Sequence, residues 1–132
     1  MTTDHPVQAW HALVADRSIE GLDALLADDV VFHSPIVHTP QQGRAVTKLY
    51  LSAAFQVLFN ESFTYVREVA SGDSAALEFT SEIDGVVLNG IDLIRFDAEG
   101  RIVDFKVMIR PLKAIQLVHG LMARMLESLK PS

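Results

Sequence analysis

The chain has 132 residues, 49% of them apolar and 21% charged, which is typical of one globular domain spanning residues 1–132. A formal net charge of −6, with the basic residues scattered, disfavours binding to nucleic acid or to an anionic membrane. There is no cysteine, so disulfides and thiolate metal sites are excluded. The sequence has no signal-peptide pattern and no apolar run of the roughly 20 residues a membrane helix needs, so we predict a cytoplasmic protein.

The first third of the chain predicts two helices and a short strand. Apolar residues at helical spacing favour a first helix over residues 4–16. A second, short helix is predicted from Ser18 to just before Asp28, and an apolar strand over 30–34. Prolines and a glycine then indicate a loop over residues 35–43.

The rest of the chain predicts one helix, four strands in hairpins and a last helix. The predicted elements are a helix over 44–59, strands over 63–70 and 75–83, a hairpin over 86–110 that turns at 97–100, and a helix from Arg110-Pro111 onwards. Strands gathered late, with helices mostly before them, favour an α+β fold with an antiparallel sheet covered on one side.

A carboxyl group interrupts the apolar face of the late hairpin. Alternation along the two strands predicts inward positions at Leu88, Gly90, Asp92, Ile94 and Phe96, and at Val103, Phe105, Val107 and Ile109. A buried carboxylate costs on the order of several kcal/mol unless it is protonated, paired or lines a cavity. Asp92 is therefore the first candidate for a functional residue.

The order of elements and two strings resemble the nuclear transport factor 2-like superfamily, in its SnoaL-like and ketosteroid isomerase-like branch. The strings are LLADDVVFHSPIVHTPQQG from Leu25 to Gly43 and IDLIRFDAEGRIVDFKV from Ile91 to Val107. The resemblance implies a cone-shaped curved antiparallel sheet wrapped by helices (a cystatin-like α+β barrel), with a pocket inside the cone. It also implies a homodimer.

Three positions of this chain match functional positions of ketosteroid isomerase. The resemblance places a protonated oxyanion-stabilising aspartate at Asp92 and a second oxyanion donor, tyrosine in the isomerase, at Trp10. It places the general-base aspartate at Ser34, just before Pro35. One of the three residues is therefore kept, one is replaced by an N–H donor, and the base is lost.

Other residues are candidates for the pocket wall or for a replacement base. Ser34 can hydrogen-bond a ligand, and His38, on the loop at the predicted mouth of the cone, is the first candidate for a base. His33 has the opposite parity to Ser34 and is expected outside the cone. The direction of Tyr65 is left open, because the register of its strand is uncertain. The pocket wall is predicted to include Trp10, Tyr50, Phe79, Ser81, Phe105 and Val107.

The lead hypothesis is a domain that binds a small apolar or carbonyl-containing molecule in the cone, with a ligand oxygen at Asp92. If it is an enzyme, proton transfer next to a carbonyl is expected, in an isomerase, dehydratase or cyclase. No H-x-H or HExxH motif occurs, so we predict no metal site and no cofactor.

The alternative is a non-catalytic association or ligand-carrier module, dimerising through Ile91, Leu93 and Met108. Epoxide hydrolysis is a third hypothesis, weakened because only Asp92 has the parity of the required Asp-Arg-Asp set.

Overall fold

The computed structural model describes residues 5–129, which form one six-stranded sheet and four helices. In chain order the elements are α1 (Val7–Asp16), α2 (Leu22–Leu25), β1 (Leu26–His33), β2 (Gln41–Gln42), α3 (Arg44–Val57), β3 (Thr64–Ser71), β4 (Ser74–Ile83), β5 (Val86–Phe96), β6 (Ile102–Arg110) and α4 (Leu112–Leu129). The predicted start of the first helix, at Asp4, lies outside the described residues. The α+β fold with a curved sheet is confirmed.

The strands of the sheet lie in the order β2-β1-β6-β5-β4-β3. From β3 to β6 every neighbouring pair is antiparallel, as hairpin connections require, and β2 pairs antiparallel with β1. The pair β1 and β6 is parallel, because β1 comes from the early part of the chain and joins the sheet beside its last strand. This parallel pair is the one departure from the antiparallel sheet expected from the sequence.

One strand boundary and one side-chain direction differ from the sequence prediction because of long-range pairing. Strand β1 begins at Leu26 rather than at residue 30, since Leu26 already pairs with Ile102 of β6. In β6 the register shifts between the pairs Arg95 with Asp104 and Phe96 with Ile102. This bulge places Ile102 in the core and leaves Val103, predicted to point inward, only half-buried.

The core lies between the inner face of the sheet and the helices. Alternate residues of β4 and β5 are buried, which is the period-two pattern of a sheet covered on one side. Helix α4 buries Ala114 and Val118. Leu112 and Leu129, at its two ends, are exposed. No helix within residues 5–129 is both long and apolar enough to cross a membrane.

Candidate functional site

A chain of side-chain hydrogen bonds links three elements inside the cone. The indole N–H of Trp10, on α1, donates to the Tyr65 hydroxyl oxygen of β3 over 3.0 Å. The Tyr65 hydroxyl donates in turn to Oδ2 of Asp92, on β5, over 2.7 Å. Each donor of this chain therefore has an acceptor, as buried polar groups require.

Local strand geometry brings Tyr65 to Asp92. Tyr65 pairs with Phe79, but the next pair is Arg67 with Glu78, so Val66 is an extra residue in β3. This bulge sets the parity of Tyr65 to that of Phe79, which is buried, and so points the phenol into the cone. The direction of Tyr65, which the sequence alone left open, is thus decided by the pairing of β3 with β4.

Asp92 is a carboxyl group in an apolar interior. Its residue is 4% exposed. Burial raises the pKa of Asp92 from its ordinary 3.8 to about 7, although the hydrogen bond from Tyr65 acts in the opposite direction. Burial, and then the nearby Asp92, raises the pKa of Tyr65 well above its ordinary value. No basic residue among the described ones forms an ion pair with Asp92, so near neutral pH the neutral acid is well populated and can donate a hydrogen bond.

Aromatic rings fill the cone around this hydrogen-bond chain. The ring of Trp10 lies 4.9 Å from that of Phe105 and 6.0 Å from that of Phe55, centroid to centroid. The ring of Phe79 fills the space above Gly90, where an added Cβ would come within 2.4 Å of its Cζ. We call this packed region, with Asp92, the closed end of the cone.

An apolar cavity of about 180 Å³ lies at the other end of the cone, beneath α4. Its walls come from the end of β1 and the loop that follows, from α3, from β6 and from α4. The residues that line it are Phe32, Ser34, Pro35, Ile36, Val37, Tyr50, Ala54, Leu58, Val107, Ile109, Val118, His119, Met122, Ala123 and Leu126. Of the sequence-predicted site residues, Ser34, Tyr50 and Val107 therefore lie together here.

Asp92 is not among the described residues that line this cavity, but it lies next to its wall. Val107 is paired directly with Asp92 across β5 and β6, on the same face of the sheet. Directly opposed residues have Cβ atoms only about 5 Å apart. A row of aromatic rings also joins the two ends, from Tyr50 to Phe32 at 5.2 Å and from Phe32 to Phe105 at 6.1 Å. Val107 and this row of rings thus connect the cavity wall to the Asp92 network.

Four predicted wall residues lie in the packed core and do not line the cavity: Trp10, Phe79, Ser81 and Phe105. Phe79 and Phe105 are buried among the rings of the closed end. The Ser81 hydroxyl donates to the Leu58 carbonyl over 3.2 Å and is also within 3.3 Å of Asn60 Oδ1. This serine therefore ties the end of α3 and the following turn to β4.

The predicted base His38 lies on the outer side of the sheet. It is exposed and lines a depression of about 530 Å³ together with His33 and Lys106. His33 Nε2 lies 2.9 Å from Asp104 Oδ1. The Ser34 hydroxyl accepts a hydrogen bond from the N–H of Ile36 over 3.0 Å, which ties it to its own loop.

Two parts of the site were not identified from the sequence. Tyr65 is the central member of the hydrogen-bond chain, and only the bulge at Val66 reveals its direction. Helix α4 supplies His119, Met122 and Leu126 to the cavity wall. Their spacing of three and four residues was a signal for one helix face, but it is equally typical of a core face.

Comparisons with known proteins agree with this architecture. The SnoaL-like domain matches residues 7–105 of this chain. A steroid delta-isomerase from Pseudomonas aeruginosa is 43% identical with a TM-score of 0.88, over 93% of this chain and 90% of that one. An uncharacterized bacterial protein with a cystatin-like fold, from Silicibacter pomeroyi DSS-3, is 30% identical with a TM-score of 0.79, over 93% of this chain and 83% of that one. This chain belongs to the SnoaL-like domain family, within the NTF2-like fold.

Proposed function

We propose that this SnoaL-like protein binds a small, mainly apolar molecule in the cone and holds a carbonyl or hydroxyl oxygen of that molecule at Asp92. The observation that carries the proposal is the state of Asp92, which is buried and not ion-paired, with its pKa raised to about 7. An aspartate that only stabilises a fold is ordinarily matched with a cation or with backbone N–H groups. Here, among the described residues, the Asp92 carboxyl is hydrogen-bonded to the neutral Tyr65 hydroxyl and paired with no cation.

The chemistry that suits this arrangement is proton transfer next to a carbonyl. Removing a proton from the carbon beside a carbonyl places negative charge on the carbonyl oxygen. The ligand oxygen reaches Asp92 when side chains of the cavity wall, such as Val107, move aside. The neutral Asp92 carboxyl then donates a hydrogen bond to that oxygen, and the charge is stabilised because the surroundings exclude water. Tyr65 holds the carboxyl in place, and Trp10 holds Tyr65. The similarity to a steroid delta-isomerase, at 43% identity over 93% of this chain, supports an isomerase with a fused-ring or ring-sized ketone substrate.

The base is the element that this chain must supply differently, because Ser34 occupies the position of the isomerase aspartate. Among the described residues, His33 and His38 line the outer depression, where His33 is bonded to Asp104, and His119 lies in the cavity wall itself. We assign the base to His38, the residue predicted from the sequence, with His119 as the competing candidate. His38→Ala and His119→Ala, assayed on a β,γ-unsaturated ketone by the absorbance of the conjugated product, would separate the two candidates.

Binding of phenols tests the role of Asp92 without a known substrate. Planar phenols of graded acidity mimic the charged oxygen, and Trp10 fluorescence reports binding through the rings that connect Trp10 to the cavity. Wild-type protein should bind with an affinity that rises with phenol acidity, and Asp92→Leu should lose this trend. Asp16→Leu, the same change at an exposed position of α1, is the matched control. Equal binding by wild type and Asp92→Leu would contradict the proposal.

A second candidate function is association of two copies through the outer face of the sheet. Apolar side chains on this face include Val69, which is 64% exposed, and Met108, which is 45% exposed. Ile91 is half-buried between its strand partners Glu78 and Met108. An apolar group of this kind on an uncovered sheet face suits a homodimer. Met108→Lys should then yield monomers in light scattering after size exclusion, whereas Leu112→Lys, at an exposed leucine of α4, should not. A wild-type monomer would contradict a dimeric module.

A further inference from the structure

The sheet opens where β1 and β6 separate. The last pairs between these strands are Phe32 with Phe105 and His33 with Lys106. Pro35 has no N–H to continue the ladder, and the chain leaves the sheet there. Strand β6 continues to Arg110, so its last residues have no described strand beside them on this side. We call this gap between the loop at 34–37 and the end of β6 the fork.

The fork separates the apolar cavity from the depression on the outer face. Five residues line both spaces: Ser34, Pro35, Val37, Val107 and Ile109. These shared residues therefore lie between the inside of the cone and the outer depression.

The apolar cavity is too small for a whole ligand of the proposed kind. Its volume of about 180 Å³ is close to that of an apolar cavity of roughly 150 Å³ that holds one benzene molecule. Ligand sites usually measure about 300–1,000 Å³. A molecule with more than one ring would therefore extend beyond the cavity, and the fork leads directly to the outer depression of about 530 Å³.

The described lining of the depression beyond the fork includes one cation, Lys106, and no acidic residue, in a protein that is acidic overall. His33, His38 and Lys106 line it, while the whole chain has a net charge of −6. Asp104 is bonded to His33, whereas Lys106 forms no ion pair with any described residue. An anionic group of a ligand would thus find its counter-charge here.

We propose that the fork is the entry to the cavity and that the ligand is an amphipathic carboxylate. Its ring-sized apolar end occupies the cavity, and its carboxylate lies in the outer depression against Lys106. This inference rests on the proposed function, since it requires that the cavity holds the apolar part of the ligand. It adds the charge of the ligand and the route by which the ligand enters.

Calorimetric titration with two matched probe series tests the charge of the ligand. The probes are phenylacetate and phenylbutyrate, each compared with the alcohol of the same carbon skeleton. At low salt the carboxylates should bind wild-type protein about fivefold more tightly than the alcohols, the size expected for a solvent-exposed ion pair. Lys106→Gln should abolish this preference and leave the affinity for the alcohols unchanged. Arg101→Gln, which removes the same charge just before the start of β6, should keep the preference.

The outcomes distinguish this inference from the proposed function. Alcohols that bind as tightly as carboxylates, or a carboxylate preference that survives Lys106→Gln, would overturn the inference while leaving Asp92-dependent phenol binding intact. If no probe or phenol bound at all, both would fail.

The route has its own test, because Val37→Trp narrows the fork and should slow association in stopped-flow measurements. Val87→Trp, on an exposed position of β5, should not, and equal rates would rule out entry through the fork.

Discussion

Aromatic side chains line both ends of the cone, but one end is tightly packed around a polar group and the other contains a cavity. At the closed end, Trp10, Tyr65 and Asp92 are joined by hydrogen bonds and enclosed by tightly packed rings. At the other end, Tyr50 and Phe32 also stack, but α4 closes over them incompletely and leaves about 180 Å³ empty. A polar group in an apolar interior needs rigid partners, because an unpaired one is costly, whereas a ligand needs space. The two ends meet at Val107, which lines the cavity and pairs directly with Asp92.

Truncating one side chain at each end should give the largest difference between them. Phe105→Ala should lower the free energy of unfolding by about 3–5 kcal/mol, since the Phe105 ring is buried against Trp10 and Phe32. The surrounding side chains cannot close the cavity that removing the ring would leave. Met122→Ala, in the cavity wall, should cost less than about 2 kcal/mol, because that side chain is half-buried and already borders empty space. Urea unfolding measures both. Equal losses would mean that the two ends are packed alike.

The buried acid should make the stability of the protein depend on pH. Between about pH 4 and 7 the folded protein holds a proton on Asp92 that the unfolded chain has released. Folding therefore takes up a proton, and stability falls as pH rises through this window, by up to about 4 kcal/mol in total. Asp92→Asn should flatten this part of the profile, whereas Asp16→Asn should not. A profile for Asp92→Asn identical to that of wild type would show that Asp92 is not the group responsible.

The close contact at Gly90 should be the next most sensitive feature of the closed end. Gly90→Ala places a Cβ within 2.4 Å of the Phe79 ring and 2.7 Å of the Met108 carbonyl oxygen, so the ring or the strand must move. We expect a loss of about 1–3 kcal/mol in unfolding free energy. Gly120→Ala, in α4, has no atom within 4 Å of the added Cβ and should not destabilise the protein. An unchanged free energy of unfolding in Gly90→Ala would indicate that the packing around Phe79 is loose enough to accept a methyl group.

The sharpest test of the hydrogen-bond chain is Tyr65→Phe. Because the Tyr65 hydroxyl stabilises the charged form of Asp92, its removal should raise the pKa of Asp92 further above its ordinary value. It should also cost about 1–3 kcal/mol by leaving the Trp10 N–H without its acceptor. Titration of the ¹³C-labelled carboxyl by NMR measures the pKa. Tyr50→Phe, at the cavity end, is the control that should leave it unchanged.

Local pattern in the sequence was enough for much of this protein. Period-two alternation placed Asp92 inward, and turn residues located the hairpin of β5 and β6. The helices and most strand boundaries followed from spacing and from proline and glycine. Resemblance to the family added the curved sheet and drew attention to Trp10 and Ser34. All of these depend on neighbouring residues, so they can be inferred from the chain one segment at a time.

Only the tertiary structure decided how distant segments meet. The bulge at Val66 turned Tyr65 toward Asp92, and the parallel pairing of β1 with β6 created both the longer first strand and the fork. The packing of α4 made a cavity where its sequence also suited a filled core. In each case the strand register or the distance between elements depends on residues far apart in the chain. It is set when the sheet forms and its inner face is buried. No local pattern encodes that choice, and the binding end of the cone depends on it.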